Sequence, residues 1–186
     1  MTNSVHRNVF TYGIDHQDLI THASENWDDF ALGNKGDSSL RNKILNRPIW
    51  DFISDAETIS LYKSLVEKVR KKGVTLDFPF RCDSPDKRRY MRMRIQPEAD
   101  AHVLFQSIIE REEPRQPLTV LDSGIERDDR ILRICGWCKS IKHDDRWLPI
   151  EEAVQKLGLM KQRVLPKLSH GICESCGEKI SQQLVS

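Results

Sequence analysis

The 186-residue sequence contains no apolar run approaching the roughly 20 residues that a membrane-spanning helix needs. Its first residues, MTNSVHRNVFTYGIDHQD, carry no apolar stretch of the kind that directs secretion. It has no Gly-rich phosphate loop, no G-x-S-x-G and no H-E-x-x-H. The adjacent acids Asp28-Asp29, Asp128-Asp129 and Asp144-Asp145 fall at helix starts, turns and a charged middle segment, where local reasons for acids suffice. Neither an internal repeat nor a low-complexity tract is present. A charge excess is missing too, since 29 Lys+Arg face 28 Asp+Glu for a net +1. These absences argue against a membrane protein, a secreted disulfide scaffold, a disordered chain and a globally basic nucleic-acid binder. A non-catalytic, cytoplasmic protein is the expectation, and its hydrophobic content of 38% is enough for a core.

Charge is distributed unevenly. Residues 1–110 hold 16 basic and 16 acidic residues, residues 111–130 hold 4 and 6, and residues 131–186 hold 9 and 6. The last segment therefore reads +3, but four metal-bound thiolates with a divalent ion would lower it to about +1. Nucleic acid is thus an unexpected partner.

Five cysteines are present: Cys82, Cys135, Cys138, Cys173 and Cys176. Four of them form two C-x-x-C pairs with 34 residues between. In a reducing compartment such pairs read as metal or redox chemistry. Two residues between cysteines let a tight turn aim both sulfurs at one ion, and two such knuckles make the tetrahedral Cys₄ set that Zn²⁺ prefers. Gly136 and Gly177 suit such turns. Cys135, Cys138, Cys173 and Cys176 are therefore the expected ligands of a structural Zn²⁺, with His170 and His143 as candidates for the surrounding shell. A thioredoxin-like dithiol needs a βαβ setting that neither pair has, and an iron–sulfur cluster is the remaining alternative. Lys139 and Gly177 follow the pairs where c-type haem attachment requires histidine.

Before the cysteine pairs, the pattern is α+β. Val9–Ile14 and Leu19–Ala23 read as a hairpin around residues 15–18. Ser24 is a candidate cap for a short helix over Asn26–Leu32. Ser54-Asp55-Ala56-Glu57 matches a capping box, and Ile59, Tyr62, Leu65, Val66 and Val69 form one helical stripe that stops at Gly73. Three strands follow. The first alternates from Val74 to Cys82 and contains Pro79, which predicts a sheet edge. The second alternates around Met91, Met93 and Ile95. The third, His102–Ile109, is apolar on both faces and reads as central. Residues 110–130, EREEPRQPLTVLDSGIERDDR, read as a charged linker or strap. Beyond the first cysteine pair, Ser140–Leu148 suggests a hairpin, Pro149 opens the helix Ile150–Leu157, and Gly177–Val185 reads as a final helix.

The runs Asn26-Trp27-Asp28-Asp29-Phe30-Ala31, Ile49-Trp50-Asp51-Phe52-Ile53 and Phe80-Arg81-Cys82-Asp83-Ser84-Pro85 resemble a group of bacterial PAS-like proteins. In that group a Cys-x-x-Cys, a tryptophan, a helix and Ser-His-Gly-x-Cys-x-x-Cys follow. Here these are Cys135–Cys138, Trp147 and Ser169–Cys176. The tail is also similar to the ends of some two-component signalling proteins. The resemblance implies a PAS-like five-stranded antiparallel sheet with helices on one face over residues 8–110, then a linker at 111–130. Over 131–186 the knuckle, hairpin and terminal helix read as a treble-clef or ribbon-like zinc module, able to dock on the first part. The resemblance also implies a signalling role through a small ligand, a protein partner or a homodimer.

Trp27, Trp50, Phe52, Phe78, Phe80, Met91 and Met93 are the candidate lining of a small apolar pocket. Haem and flavin are not expected, since residues 56–72 contain no histidine and no light-sensing cysteine motif lies near that helix. Cys82 reads as a buried thiol, with redox sensing beside Arg81 as the alternative. Tyr90, Arg92 and Arg94, with Arg88 nearby, form a basic strand face. The competing functions are a ligand sensor or adaptor, a thiol redox switch at the Cys₄ site, and a nucleic-acid-binding zinc module using Lys139, Lys142 and Arg146. With only about 55 residues, the last segment has a marginal core. Loss of a ligand such as Cys135 is therefore expected to unfold it while residues 8–110 stay folded.

Overall fold

In the computed structural model, which describes residues 8–53 and 55–185, the chain opens with a hairpin. Strand β1 (Val9–Ile14) pairs antiparallel with β2 (Ile20–Ala23). Asp15 makes the turn, its Oδ1 accepting from the backbone N–H of Gln17 at 2.8 Å and of Leu19 at 2.9 Å. Helix α1 (Trp27–Gly33) begins after Asn26. Ser24 does not cap it. Its hydroxyl instead accepts from the Thr11 N–H at 3.2 Å, tying the helix entry to β1.

A one-turn helix α2 (Arg41–Ile44) and a 3₁₀ turn at Ile49–Phe52 lead to α3 (Ala56–Lys72). Asp55 caps α3, its carboxylate accepting from the Thr58 N–H at 2.8 Å. Ser54, the first residue of the expected capping box, lies outside the described residues. Gly73 ends the helix in the left-handed conformation (φ 64°), and its N–H bonds the Val69 carbonyl at 2.9 Å. Strands β3 (Leu76–Arg81), β4 (Lys87–Pro97) and β5 (Val103–Pro114) follow.

The five strands form one antiparallel sheet in the order β2-β1-β5-β4-β3. Pro79, which has no N–H to give, sits on the edge strand β3, and the apolar β5 is central. Phe78, Met93, Ile95 and Phe105 on one face share a core with Leu65, Val66 and Val69 of α3. The period of two in the strands and the stripe on α3 thus face each other.

A second sheet has the order β8-β7-β6-β9, built from β6 (Arg127–Cys135), β7 (Ile141–His143), β8 (Arg146–Leu148) and β9 (Leu165–Gly171). The expected hairpin is β7–β8. The parallel pairing of β6 with β9 was not anticipated. Helix α4 (Ile150–Lys156) starts one residue after Pro149, which occupies the cap position. Its Ile150, Ala153 and Val154 pack with Leu132, Ile134 and Ile141 in a second core. Residues 110–130 carry the end of β5, the buried Leu118 and Val120 of that second core, and the start of β6. Helix α5 (Glu174–Val185) closes the described chain and lies along α3, with the Lys68 ammonium donating to the Gln183 carbonyl at 2.7 Å.

A buried charge network ties the β3–β4 turn to both flanking segments. The Asp83 side chain has 0% exposure and pairs with Arg81, and with Arg115 at 2.9 Å. The Arg115 side chain, 4% exposed, also reaches Glu151 of α4 at 3.2 Å and donates to the Ser84 carbonyl at 2.6 Å. Arg89, buried as well, bonds Glu112 at 2.6 Å and the Asn34 side-chain oxygen at 2.6 Å. Removing one member of a buried, hydrogen-bonded ion network strands the others without water. Asp83→Ala is therefore expected to lower stability by about 3 kcal/mol in urea titration, a cost typical of removing one partner from a buried ion network.

Candidate metal centre

Two parallel strands that end at the same level place whatever follows them side by side. The register of β6 with β9 sets Cys135 opposite Gly171, and the Gly136 N–H bonds the Gly171 carbonyl at 2.9 Å. Both cysteine knuckles therefore leave the sheet from the same end. The first closes through the Lys139 N–H to the Cys135 carbonyl at 3.0 Å and the Cys135 N–H to the Ser140 carbonyl at 2.7 Å. Its left-handed residue is Lys139 (φ 64°), not Gly136. In the second knuckle Cys176 already lies in the first turn of α5, so the helix starts three residues before the expected Gly177. Gly177 is helical, its N–H bonding the Cys173 carbonyl at 2.9 Å.

The sulfurs of Cys135, Cys138, Cys173 and Cys176 lie within 4.8 Å of one another. Across the knuckles, Cys138 Sγ and Cys173 Sγ are 3.7 Å apart. A tetrahedral ion with metal–sulfur bonds of about 2.3 Å needs sulfurs about 3.8 Å apart, so the cluster has the size of a metal cage. The Cys173 N–H points at Cys135 Sγ at 3.4 Å, and Ser140 Oγ lies 3.2 Å from Cys138 Sγ. Both are contacts that suit a thiolate. Crowding separates Cys138, Cys173 and Cys176 electrically. Hydrogen bonds from Cys135 and Cys176 pull Cys138 far below the usual thiol range, while burial pushes Cys173 up to about 11. Cys176 is pushed well up by its hydrogen bonds to Cys135 and Cys138. Such a set favours the thiolate at Cys138 and resists it at Cys173 and Cys176, a resistance that a divalent cation at the centre would reverse. Four sulfur donors with this spacing could hold a metal ion, and zinc is compatible with them.

The cage is not a free appendage. Cys135, Cys173, Trp137 and Ile180 belong to the same core as Leu65, Phe78 and Phe105. Trp137, inside the first knuckle, stacks on Tyr62 of α3 with ring centroids 5.5 Å apart. The Trp137 carbonyl accepts from the Arg81 N–H at 2.7 Å, so the knuckle covers the open edge of β3 beyond Pro79. The Arg81 guanidinium adds a bond to the Cys138 carbonyl at 3.3 Å. Neither Ser140 nor the Tyr62–Trp137 stack was singled out from sequence. Tyr62 was legible only as one more residue in a helical stripe.

The histidines stand apart from the sulfurs. His170 is exposed on β9, and His143 ends β7 with Nε2 3.6 Å from an Asp144 carboxylate oxygen. Neither joins the cysteine group. Cys82 follows β3, half-buried and away from the other four, with its N–H bonded to the Arg89 carbonyl at 3.1 Å. The neighbouring Arg81 turns its guanidinium to Asp83.

The pocket candidates divide between two cavities that share Trp27 as a wall. One, of about 210 Å³, is lined by Trp27, Phe52, Tyr12 and Tyr62 among others. The second, of about 230 Å³, takes Trp27, Phe80, Met91 and Cys82. Phe78 and Met93 are core residues that line neither. Trp50 packs at the core margin, its indole N–H donating to Asp18 at 2.9 Å. Burial pushes both Tyr12 and Tyr62 well above the usual phenol range, so their hydroxyls stay protonated. The basic face of β4 is paired. Arg92 meets Asp77 at 2.7 Å and Glu110 at 2.5 Å, Arg94 meets Asp77 at 3.1 Å, and Arg88 meets Glu151 at 2.8 Å.

No family model matches the chain, and comparison with curated proteins gives no match.

Trp137 is the largest of the side chains through which cage and sheet share one core. Trp137→Ala is expected to cost about 3–5 kcal/mol, as for a large buried aromatic, read by urea denaturation at fixed metal concentration. The same variant should hold metal more weakly in a chelator competition, because the turn that aims Cys135 and Cys138 loses its packed wedge.

Proposed function

We propose that the protein is a non-catalytic regulatory protein in which a structural Zn²⁺, held by Cys135, Cys138, Cys173 and Cys176, fastens the C-terminal segment onto a PAS-like body. The convergence of four sulfurs at cage spacing carries this reading. A closed Cys₄ set leaves no open position for substrate or water, which favours a structural over a catalytic ion. The PAS-like assignment of residues 8–110 is supported by the antiparallel order β2-β1-β5-β4-β3 with α3 across one face. In that reading residues 111–130 act as a strap and residues 131–186 as the zinc-bearing part, of treble-clef or ribbon type. The output is a ligand-dependent change in binding to a protein partner or a second copy, in the cytoplasm.

The basic groups give a nucleic-acid role little support. The β4 arginines face carboxylates, and the Lys139 ammonium donates to the Gly136 carbonyl at 2.8 Å.

Elemental analysis and native mass spectrometry of the purified protein test the proposal together. One zinc per chain is the expected result, and a purified chain without stoichiometric metal after preparation in zinc-containing buffer would sink it. Cys135→Ser and Cys173→Ser should both lose the ion. Structural zinc supplies on the order of 10 kcal/mol of folding free energy, comparable to the whole stability of a typical domain. Since Cys135 and Cys173 sit in the core of the five-stranded sheet, the loss is expected to lower the melting temperature of the entire chain. That replaces the expectation, drawn from sequence, that residues 8–110 would be spared.

A further inference from the structure

Tyr12 and Tyr62 are the two polar side chains that stand out in the 210 Å³ cavity between β1, the α2 region and α3. Both residues are half-buried, and neither hydroxyl is among the sealed polar atoms that lack a partner. Among the described residues neither hydroxyl bonds another protein group, so each is open to a ligand or to water, while both rings are firmly placed. Tyr12 stacks on Phe105 with centroids 4.6 Å apart and planes 7° apart, and meets Trp27 edge-on at 5.5 Å. Tyr62 stacks on Trp137. The hydroxyls are thus pre-positioned donors with little rotamer freedom left to lose on binding. Apart from Ser39 the remaining wall is apolar and aromatic, including Trp27 and Phe52, and no charged side chain lines it.

We propose that this cavity binds a neutral, single-ring aromatic molecule carrying one hydrogen-bonding oxygen, which Tyr12 and Tyr62 grip through their hydroxyls. This rests on the sensor reading above and names its ligand class. Size sets the first limit. An apolar cavity of about 150 Å³ is enough for benzene, so about 210 Å³ leaves room for a ring and a substituent of one to three heavy atoms. Charge sets the second limit. An anion entering a wall without a cation would lose its hydration uncompensated. Chemistry sets the third, because an oxygen on the ring gives the two phenols the partner that the protein does not supply.

The full-length, metal-loaded protein tests this with four probes: acetophenone, p-cresol, toluene and benzoate. Binding is followed by calorimetry and by the indole N–H resonance of Trp27, which walls the cavity. Acetophenone and p-cresol are expected to bind, toluene at least tenfold more weakly, and benzoate not at neutral pH. Tyr12→Phe and Tyr62→Phe keep the rings and their stacking. Each should weaken acetophenone by about tenfold, the cost of one hydrogen bond, and leave toluene unchanged. If toluene equals acetophenone and the tyrosine variants change nothing, the ligand class is wrong while a ligand-binding cavity survives. If no probe binds and the Trp27 resonance stays fixed, the cavity is a gap in the core, and the sensor reading of this site falls with the proposal. Zinc stoichiometry is indifferent to either result.

Discussion

The parallel pairing of β6 with β9 is the constraint on which the C-terminal half depends. Cysteine pairs 34 residues apart in sequence have no reason to meet unless something brings their turns together. A parallel ladder does so, because its two strands run out at the same end, here at Cys135 and Gly171. Parallel strands need a crossover between them, and the segment from Ser140 to Val164 supplies it as hairpin, helix α4 and turn. The second core, built under that crossover from Ile134, Ile141, Ile150 and Leu165, holds the ladder in place. The sulfur cage is therefore assembled by a small hydrophobic core on one side and completed by the large one on the other.

That division explains what could be read in the sequence. Elements whose pattern is local were legible. The β1 hairpin, the stripe of α3 with its Gly73 stop, the edge strand marked by Pro79 and the apolar central β5 each declare themselves within a dozen residues. The four cysteines were legible because two C-x-x-C pairs stand out as a local spacing pattern, and the fold brings their sulfurs together. What escaped is non-local or disguised. Strand β6 begins as Arg127-Asp128-Asp129-Arg130, which reads as a charged loop, and its register with β9 slips between Asp128 and Ile131. Strand β9 contains Pro166 and presents only Leu165, Pro166 and Gly171 as buried residues. Ser24 looked like a cap, but β1 claimed its hydroxyl. The pocket candidates were judged by residue type alone, and residue type does not say which face of a strand meets a cavity. Phe78 and Met93 went to the core and Met91 to a cavity wall.

Arginine shows the same limit from the electrostatic side. The run Arg88-Arg89-Tyr90-Met91-Arg92-Met93-Arg94 reads as a basic strip. In the fold every one of its guanidiniums meets a carboxylate from a distant segment: Glu151 for Arg88, Glu112 for Arg89, Asp77 and Glu110 for Arg92, and Asp77 for Arg94. Exposed pairs of this kind contribute little to stability. The buried members, Asp83 with Arg115 and Arg89 with Glu112, differ because breaking them leaves charge in a dry site. They bind the β3–β4 turn, the end of β5 and α4 in one register, and so align the two sheets independently of the metal.

Tyr62 is where the cage and the apolar cavity become one system. Tyr62 lines the cavity, and its ring stacks on Trp137, which the first knuckle holds between Cys135 and Cys138. A side chain that serves two sites cannot be moved for one without cost to the other. In a close-packed interior small displacements are resisted, not absorbed. Under the proposed function, a ligand that shifts Tyr62 would strain the knuckle, and a metal that rigidifies the knuckle would fix Tyr62 for the ligand. Linkage makes these effects equal in free energy and reciprocal. Under that proposal, the seam between the two sheets is the place where occupancy of the pocket would reach the C-terminal surface, through a stacked pair of rings already present in the fold.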